Sequence, residues 1–109
     1  EGKILEITSG NTSSYVEWSY DSSIELQGID CETNGDIVVG DYVTLTVEHP
    51  VYGEIRRFGD KYYIASSRNY KEISARVDII PAGIKIRATL NAVDTNGRKV
   101  IFRLRSFKW

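Results

Sequence analysis

Residues 84–107 read IKIRATLNAVDTNGRKVIFRLRSF, two alternating segments around an Asp-Thr-Asn-Gly turn. Apolar and polar residues alternate on both sides of the turn, as they do in strands that bury one face. A three-residue loop over 95–97 places Gly97 in the left-handed bulge position and puts the apolar residues of both strands on one face. The stretch predicts an antiparallel hairpin that pairs Leu90 with Phe102 on the apolar face and Arg87 with Arg105 on the polar face.

The same period-two alternation extends over most of the chain. Candidate strands, rich in β-branched and aromatic residues, are 3–8, 15–20, 23–31, 42–48, 53–58, 61–66, 72–80, 84–93 and 98–107. A tight turn at Gly59-Asp60 predicts a second hairpin, with Arg56 opposite Tyr63 and Ile55 opposite Ile64. A helical turn is expected only near 66–72. The pattern predicts one all-β domain over 1–109, a small β-barrel or sandwich of about 8–9 short, mostly antiparallel strands with little or no helix.

One stretch carries a family resemblance. DIVVGDYVTLTV at 36–47, together with the opening EGKILEI, resembles small OB-type or SH3-type barrels, in which a glycine-marked turn leads into a barrel strand. The resemblance covers about the first fifty residues and implies a small barrel. The nine candidate strands exceed the five of a simple OB barrel.

Length and composition limit the class of protein. The 109 residues suit one domain with a modest core, and 41% hydrophobic with 27% charged residues is typical of a globular chain. No run approaches the roughly 18 apolar residues of a membrane helix. The single cysteine, Cys31, excludes an intrachain disulfide and agrees with a reducing compartment. We expect a cytoplasmic protein that does not enter membranes. The chain starts at Glu1 without methionine, which leaves a processed or trimmed N-terminus as an alternative.

Charge is distributed unevenly along the chain. Residues 1–54 hold eleven acids and one lysine, a net charge of −10, whereas residues 55–109 hold thirteen bases and four acids, a net charge of +9. Such asymmetry indicates an anionic partner for the basic half. It is equally explained if the halves neutralise each other within one molecule, or if the acidic face of one copy docks on the basic face of the next.

An acidic turn raises the question of calcium. DCETNGDIVVGD at 30–41 approaches the calcium-loop pattern, with candidate ligands Asp30, Glu32, Asn34, Asp36 and Asp41. Glutamate stands at the third position, aspartate replaces the chelating glutamate at the twelfth, and both flanks alternate as strands rather than helices. We therefore interpret the stretch as a turn around Asn34-Gly35 and keep weak calcium binding as the alternative.

Catalytic signatures are sparse. His49 is the only histidine, and the acids beside Cys31 would disfavour a reactive thiolate. No phosphate-binding glycine loop, serine-hydrolase elbow or zinc motif occurs. We expect a non-enzymatic protein without a cofactor. A small enzyme or small-ligand binder built around His49, Tyr42 or the aromatic cluster is kept as a third hypothesis.

The basic and aromatic second half supplies the leading hypothesis. Cations interleaved with rings are typical of proteins that bind single-stranded nucleic acid. The expected contact residues share one predicted sheet face and its neighbourhood: Arg56, Lys61, Tyr63, Arg76, Lys85, Arg87, Arg103, Arg105 and Phe107. The predicted partner is single-stranded nucleic acid or an acidic protein surface. A structural subunit that assembles through its complementary acidic and basic surfaces, as a homo-oligomer, is the main alternative.

Overall fold

Eight strands form in the computed structural model, which describes residues 4–33, 37–63 and 70–108. They are β1 (Ile4–Ser9), β2 (Ser13–Trp18), β3 (Ile24–Thr33), β4 (Tyr42–His49), β5 (Gly53–Tyr63), β6 (Tyr70–Ile80), β7 (Lys85–Asn91) and β8 (Arg98–Lys108). The predicted all-β class is confirmed. The helical turn predicted near 66–72 is wrong at 70–72, which begin β6, and 66–69 lie outside the described residues. No helix in the described part of the chain is long and apolar enough to cross a membrane.

The strands build two four-stranded antiparallel sheets that pack face to face. The first sheet has the order β1-β8-β3-β6, and the second has the order β2-β7-β4-β5. This order is that of a jelly roll, a sandwich made from two Greek keys. The resemblance to OB-type and SH3-type barrels does not extend to this topology, since β1 and β4 lie in different sheets. In both sheets, strands from the first half of the chain alternate with strands from the second half.

The predicted hairpin of β7 and β8 is wrong. β7 pairs with β2 and β4 in one sheet, whereas β8 pairs with β1 and β3 in the other. The alternation itself is as predicted, because Leu90 and Phe102 are both fully buried. Alternation determines which face of each strand is buried but not which strands are hydrogen-bonded neighbours, and residues 92–97 are long enough to cross the roughly 10 Å between sheets. Arg87 and Arg105 consequently lie on opposite outer faces of the molecule.

β5 is one continuous strand, so the predicted turn at Gly59-Asp60 is also wrong. Gly59 has a φ of 69° and lies in a bulge, where the register with β4 shifts around Thr44. Tyr63 therefore lies opposite Tyr42 instead of Arg56. Because a left-handed glycine serves a bulge as well as a turn, the sequence pattern alone did not separate the two. The bulge merges two of the nine candidate strands into one.

The core lies between the sheets and is built by alternate residues of the strands. Its fully buried large apolar side chains include Trp18, Leu26, Ile29, Leu45, Ile73, Ile86, Leu90, Phe102 and Leu104. The core also encloses one ion pair at the end of the sandwich where β4 and β8 begin: Asp41 and Arg98 are 0% and 1% exposed. The apolar stripes of β4, β7 and β8 thus bury one another, and their polar stripes form the outer faces on which ligands could bind.

Candidate interaction surfaces

The residues predicted to bind nucleic acid are divided among three surfaces. Lys85, Arg87 and Tyr63 belong to the outer face of the second sheet, together with Lys61 in the β5 bulge; Arg103, Arg105 and Phe107 belong to that of the first sheet; Arg56 lies at the edge. Arg76 is in β6, and its side chain lies outside the described set. One continuous basic face, as the predicted hairpin implied, is therefore not formed by these residues.

On the second sheet, both predicted cations of β7 are paired with acids. Arg87 donates to Glu17 from Nε at 2.8 Å, and its guanidinium lies 3.6 Å from Glu48. Lys85 Nζ lies 3.6 Å from the same Glu17 carboxylate. Burial opposes the charge on Arg87, but the hydrogen bond and charge of Glu17 outweigh it and raise the pKa of Arg87 above its ordinary value.

On the first sheet, Arg103 donates to Glu32 at 2.6 Å, and Arg105 Nε lies 3.2 Å from Asp30. Arg105 also lies across Gly28, whose φ is 148°. A Cβ at Gly28 would overlap both the guanidinium and the backbone carbonyl of the next strand. The absence of a side chain thus lets Arg105 lie flat on the sheet, which is a structural use of a residue predicted to bind phosphate.

The alternating strand order explains the charge asymmetry of the sequence. Because β7 and β8 each lie between two strands of the acidic half, their cations face acids on both sides. Among the described residues, eight of the ten ion pairs join residues 1–54 to residues 55–109. The structure therefore matches the interpretation in which the two halves neutralise each other within one molecule.

The described candidate ligands of the calcium alternative lie apart in the fold. Asp30 and Glu32 lie on the outer face of β3, paired with the arginines of β8. Both oxygens of Asp41 are engaged: Val38 N donates to Oδ2 at 3.1 Å and Val93 N to Oδ1 at 2.9 Å, while Arg98 Nε donates to Oδ2 at 2.6 Å. Asn34 and Asp36 lie outside the described residues. Within the described part of the chain, no three His, Cys, Asp or Glu side chains come together as metal ligands.

Asp41 and Arg98 instead have a structural role. Their ion pair ties the segment before β4 to the start of β8, and it joins the two sheets. Burial alone would raise the pKa of Asp41, but the Arg98 hydrogen bond and the two backbone donors outweigh it and lower the pKa. The sequence carries one signal for this role, the Gly40-Asp41 turn ahead of β4, but the sequence pattern predicts Asp41 only as a candidate calcium ligand.

The fold separates His49 and Tyr42 of the third hypothesis, because Tyr42 begins β4 and His49 ends it. Cys31 is buried in the first sheet, whereas His49 lies in the second. Nδ1 of His49 accepts hydrogen bonds from the backbone N–H groups of Val51 and Tyr52 at 3.1 and 3.2 Å. His49 therefore stabilises the turn between β4 and β5, and these two bonds occupy its Nδ1 atom.

A polar groove, hereafter the threonine groove, crosses the outer face of the second sheet. It encloses about 270 Å³ and is lined by Tyr42, Thr44, Thr46, Glu48, Glu54, Arg57, Arg87, Thr89 and Asn91. The register explains its shape: the small pair Thr44 and Thr89 lies between a row that contains Tyr42 and a row that contains Arg87. Small side chains flanked by large ones leave a depression. The sequence pattern did not predict this groove, because threonines on a strand are ordinary strand formers.

Aromatic rings stand around the threonine groove. Tyr42 and Tyr63 lie with ring centroids 5.7 Å apart, and the Lys61 ammonium is 5.0 Å from the centre of the Tyr42 ring. On the opposite side, the Arg87 guanidinium lies 4.1 Å from the centre of the Tyr15 ring. Two of the predicted residues, Arg87 and Tyr63, thus lie on the same outer face, on opposite sides of the groove, although not through the hairpin that was predicted.

An apolar pocket opens along the β5–β6 edge, the side of the sandwich where β5 and β6 end their sheets. The pocket encloses about 280 Å³ and is lined by Val47, Ile55, Arg56, Asp78, Ile79, Ile80, Pro81 and Ile84. Arg56 and Asp78 form an ion pair that joins the two edge strands. Ile55 and Ile79 are 56% and 44% exposed, and because both line this pocket they form an exposed apolar patch rather than isolated surface residues.

Comparison with known proteins adds information on the fold. No family model matches the sequence, and no curated protein matches it. Among solved structures, Drosophila NLP-core is 9% identical, covers 98% of both chains and has a TM-score of 0.50; its structure was described for pentamer formation and histone binding. The VP2 subviral particle of infectious bursal disease virus is 8% identical over 98% of this chain and 33% of that one, with a TM-score of 0.43. The pre-peptidase C-terminal domain of a Bacillus anthracis collagenase is 12% identical over 95% and 87%, also with 0.43. At such identities, the likeness is one of fold alone.

Proposed function

We propose that the chain is a non-enzymatic interaction module that binds a second copy of itself along the β5–β6 edge. The observation that carries the proposal is the exposure of Ile55 and Ile79 beside an apolar pocket. Apolar surface exposed in this way is stabilised when a partner removes it from water, at about 25 cal/mol per Å².

Backbone groups at the same edge also favour a strand as the partner. β5 and β6 are 11 residues long, and within the described chain no strand pairs with the outer side of either. The strands at the opposite edge, β1 and β2, have only 6 residues each. A long edge strand with an apolar flank is the kind that pairs with another chain.

The charges of the edge favour a second copy over a partner of one charge sign. Arg56 and Asp78 lie side by side there. A two-fold axis would place each of them near its opposite on the other copy, so the edge is complementary to itself. Drosophila NLP-core, described as forming a pentamer, has a similar fold and supports assembly of a subunit of this shape in general, but a pentamer has no two-fold contact and does not bear on this edge.

Sedimentation velocity over a range of protein concentrations tests the proposal. We expect association that persists at high salt, because an apolar contact is not screened. Ile55→Glu and Ile79→Glu should each give a monomer. Val39→Glu is the matched control, since Val39 is 83% exposed at the other end of the sandwich and should leave association unchanged. A wild-type chain that stays monomeric at the highest concentration reached would overturn the proposal.

Binding of single-stranded nucleic acid stays a prediction from the sequence. The ion pairs of Arg87, Arg103 and Arg105 weigh against it, because a cation that already has a carboxylate gains less from a phosphate.

A further inference from the structure

We infer that the threonine groove binds a neutral polyhydroxylated ligand, such as one sugar ring of a glycan. The groove lies on the outer face of the second sheet, formed mainly by β4 and β7, whereas the β5–β6 edge opens between the two sheets. The inference therefore stands whether or not the chain associates with itself.

An unsatisfied hydroxyl lies in the groove. Thr46 is 3% exposed, and its Oγ1 has no hydrogen-bond partner among the described protein groups. In the register, Thr46 is flanked by Arg57 on one side and Arg87 on the other. Arg57 pairs with Glu54 at 3.0 Å in an exposed contact, which costs little to open. A ligand hydroxyl that displaces Arg57 can therefore reach Thr46 and satisfy it.

The charges of the groove are balanced. Its lining holds two cations, Arg57 and Arg87, and two anions, Glu48 and Glu54. Arg57 pairs with Glu54, and Arg87 with Glu48 and with Glu17 beside the groove. An anionic ligand would meet the carboxylates and a cation would meet the guanidinium groups, each at a Coulombic cost. A neutral ligand meets neither penalty.

The lining offers hydrogen-bond donors and acceptors in close alternation. Guanidinium groups only donate and carboxylates only accept, while the hydroxyls of Thr44 and Thr89 and the amide of Asn91 do both. A sugar presents several hydroxyls around one ring, and each of them both donates and accepts. This pattern matches a polyhydroxylated ligand better than an apolar one.

Aromatic rings flank the groove at positions suited to a sugar ring. Tyr15 on β2 and Tyr63 on β5 are each 54% exposed, although the Arg87 guanidinium covers one face of the Tyr15 ring. Their strands are three spacings apart, about 14 Å, with the groove between them. The face of an aromatic ring is electronegative and packs against the electropositive C–H groups of a sugar. The volume, about 270 Å³, lies just under the roughly 300 Å³ where drug-sized sites begin, which suits a single ring.

Chemical-shift titration of the ¹⁵N-labelled full chain tests the inference. The probes are neutral oligomers of glucose, mannose, xylose and N-acetylglucosamine, each titrated separately, with oligothymidylate as a polyanionic comparison. We expect at least one neutral oligomer to shift the amide signals of β4 and β7. Thr46→Val, which exchanges a hydroxyl for a methyl group, should fold normally and weaken binding about fivefold, the effect of one hydrogen bond. Tyr15→Ala should weaken it at least as much.

Thr8→Val is the matched control, because Thr8 is an exposed threonine of the first sheet and should leave the affinity unchanged. The inference is overturned if none of the four neutral oligomers shifts the β4 and β7 signals, or if Thr46→Val and Tyr15→Ala both bind like the wild type. Shifts in the groove produced by oligothymidylate alone would overturn it as well and would assign the groove to nucleic acid.

Discussion

At the scale of the residue, the meaning of a charged side chain depends on its nearest opposite charge. Asp41 appeared in the sequence as the last ligand of a possible calcium loop. In the fold it is fully buried, and its two oxygens accept bonds from Arg98 and from two backbone N–H groups. An aspartate held in this way stabilises the fold and has no free oxygen to offer a metal ion.

Replacement of Asp41 by asparagine should therefore destabilise the protein strongly. Breaking a buried ion pair costs about 3 kcal/mol or more in the free energy of unfolding, and the half-exposed Asp94 compensates the charge left on Arg98 only in part. Asp94→Asn is the control, since Asp94 contacts the same Arg98 at 2.8 Å but is 43% exposed, and its loss should cost less than about 1 kcal/mol. Urea denaturation of both variants measures the difference. Equal losses would contradict the role assigned to Asp41.

The same pair gives the stability a pH dependence of known sign. Because the folded state lowers the pKa of Asp41 below its ordinary 3.8, its contribution is fully present above that value and is lost as the pH falls through the lower, folded pKa. Wild-type protein should lose stability more steeply than Asp41→Asn below about pH 4. Parallel pH profiles for the two proteins would refute this assignment.

At the scale of the element, the neighbours of a strand decide what its outer face can bind. β7 and β8 carry the cations that suggested nucleic-acid binding, and each lies between two acidic strands. The pairs that result occupy Arg87 and Arg103 with Glu17 and Glu32. A phosphate would have to compete with carboxylates that are already bound.

Fluorescence anisotropy with a labelled single-stranded oligonucleotide measures how strongly phosphates compete with these carboxylates. We expect weak binding by the wild type at low salt, with a shallow dependence of log affinity on log salt concentration, because few free cations neutralise phosphates. Glu17→Gln together with Glu32→Gln removes the nearest carboxylate from each of two arginines, although Glu48 still lies beside Arg87, and should strengthen binding. Glu25→Gln, which changes the net charge without releasing either arginine, is the control. A steep salt slope in the wild type would restore the nucleic-acid hypothesis.

At the scale of the whole molecule, the jelly roll interleaves the two halves of the chain. Neither half can complete a sheet alone, since strands of β1–β4 alternate with strands of β5–β8 in both sheets. Every pair of neighbouring strands therefore joins a strand of the acidic half to a strand of the basic half. Long-range pairing of this kind is expected to fold slowly, on the scale of milliseconds to seconds.

Two fragments divided in the β4–β5 turn should complement each other. Residues 1–51 carry ten acids and one lysine, net −9, and residues 52–109 carry thirteen bases and five acids, net +8. Each fragment alone should be largely unfolded, and a 1:1 mixture should gain strand structure by circular dichroism, with association that slows as salt is added. Stable strand structure in either fragment alone would show that interleaving is not required.

The sequence by itself determined the strand content and the faces of the strands. Period-two alternation predicted which side of β7 and β8 would be buried, because side-chain direction along a strand is a local property. The burial of Leu90 and Phe102 bears this out. The split of the charges was likewise visible from the sequence, although its cause was not.

Only the tertiary structure decided which strands are neighbours. A strand with one apolar face is equally stable beside several partners, so local pattern cannot choose between a hairpin and a crossing to the opposite sheet. Because of the strand order, Arg87 and Arg105 lie in different sheets. Gly59 lies in a bulge instead of a turn, and Asp41 contacts Arg98. The threonine groove arises from the same strand order, because β4 and β7 are distant in sequence and are neighbours in the second sheet. The β5–β6 edge arises from it as well, because β5 and β6 are the end strands of different sheets.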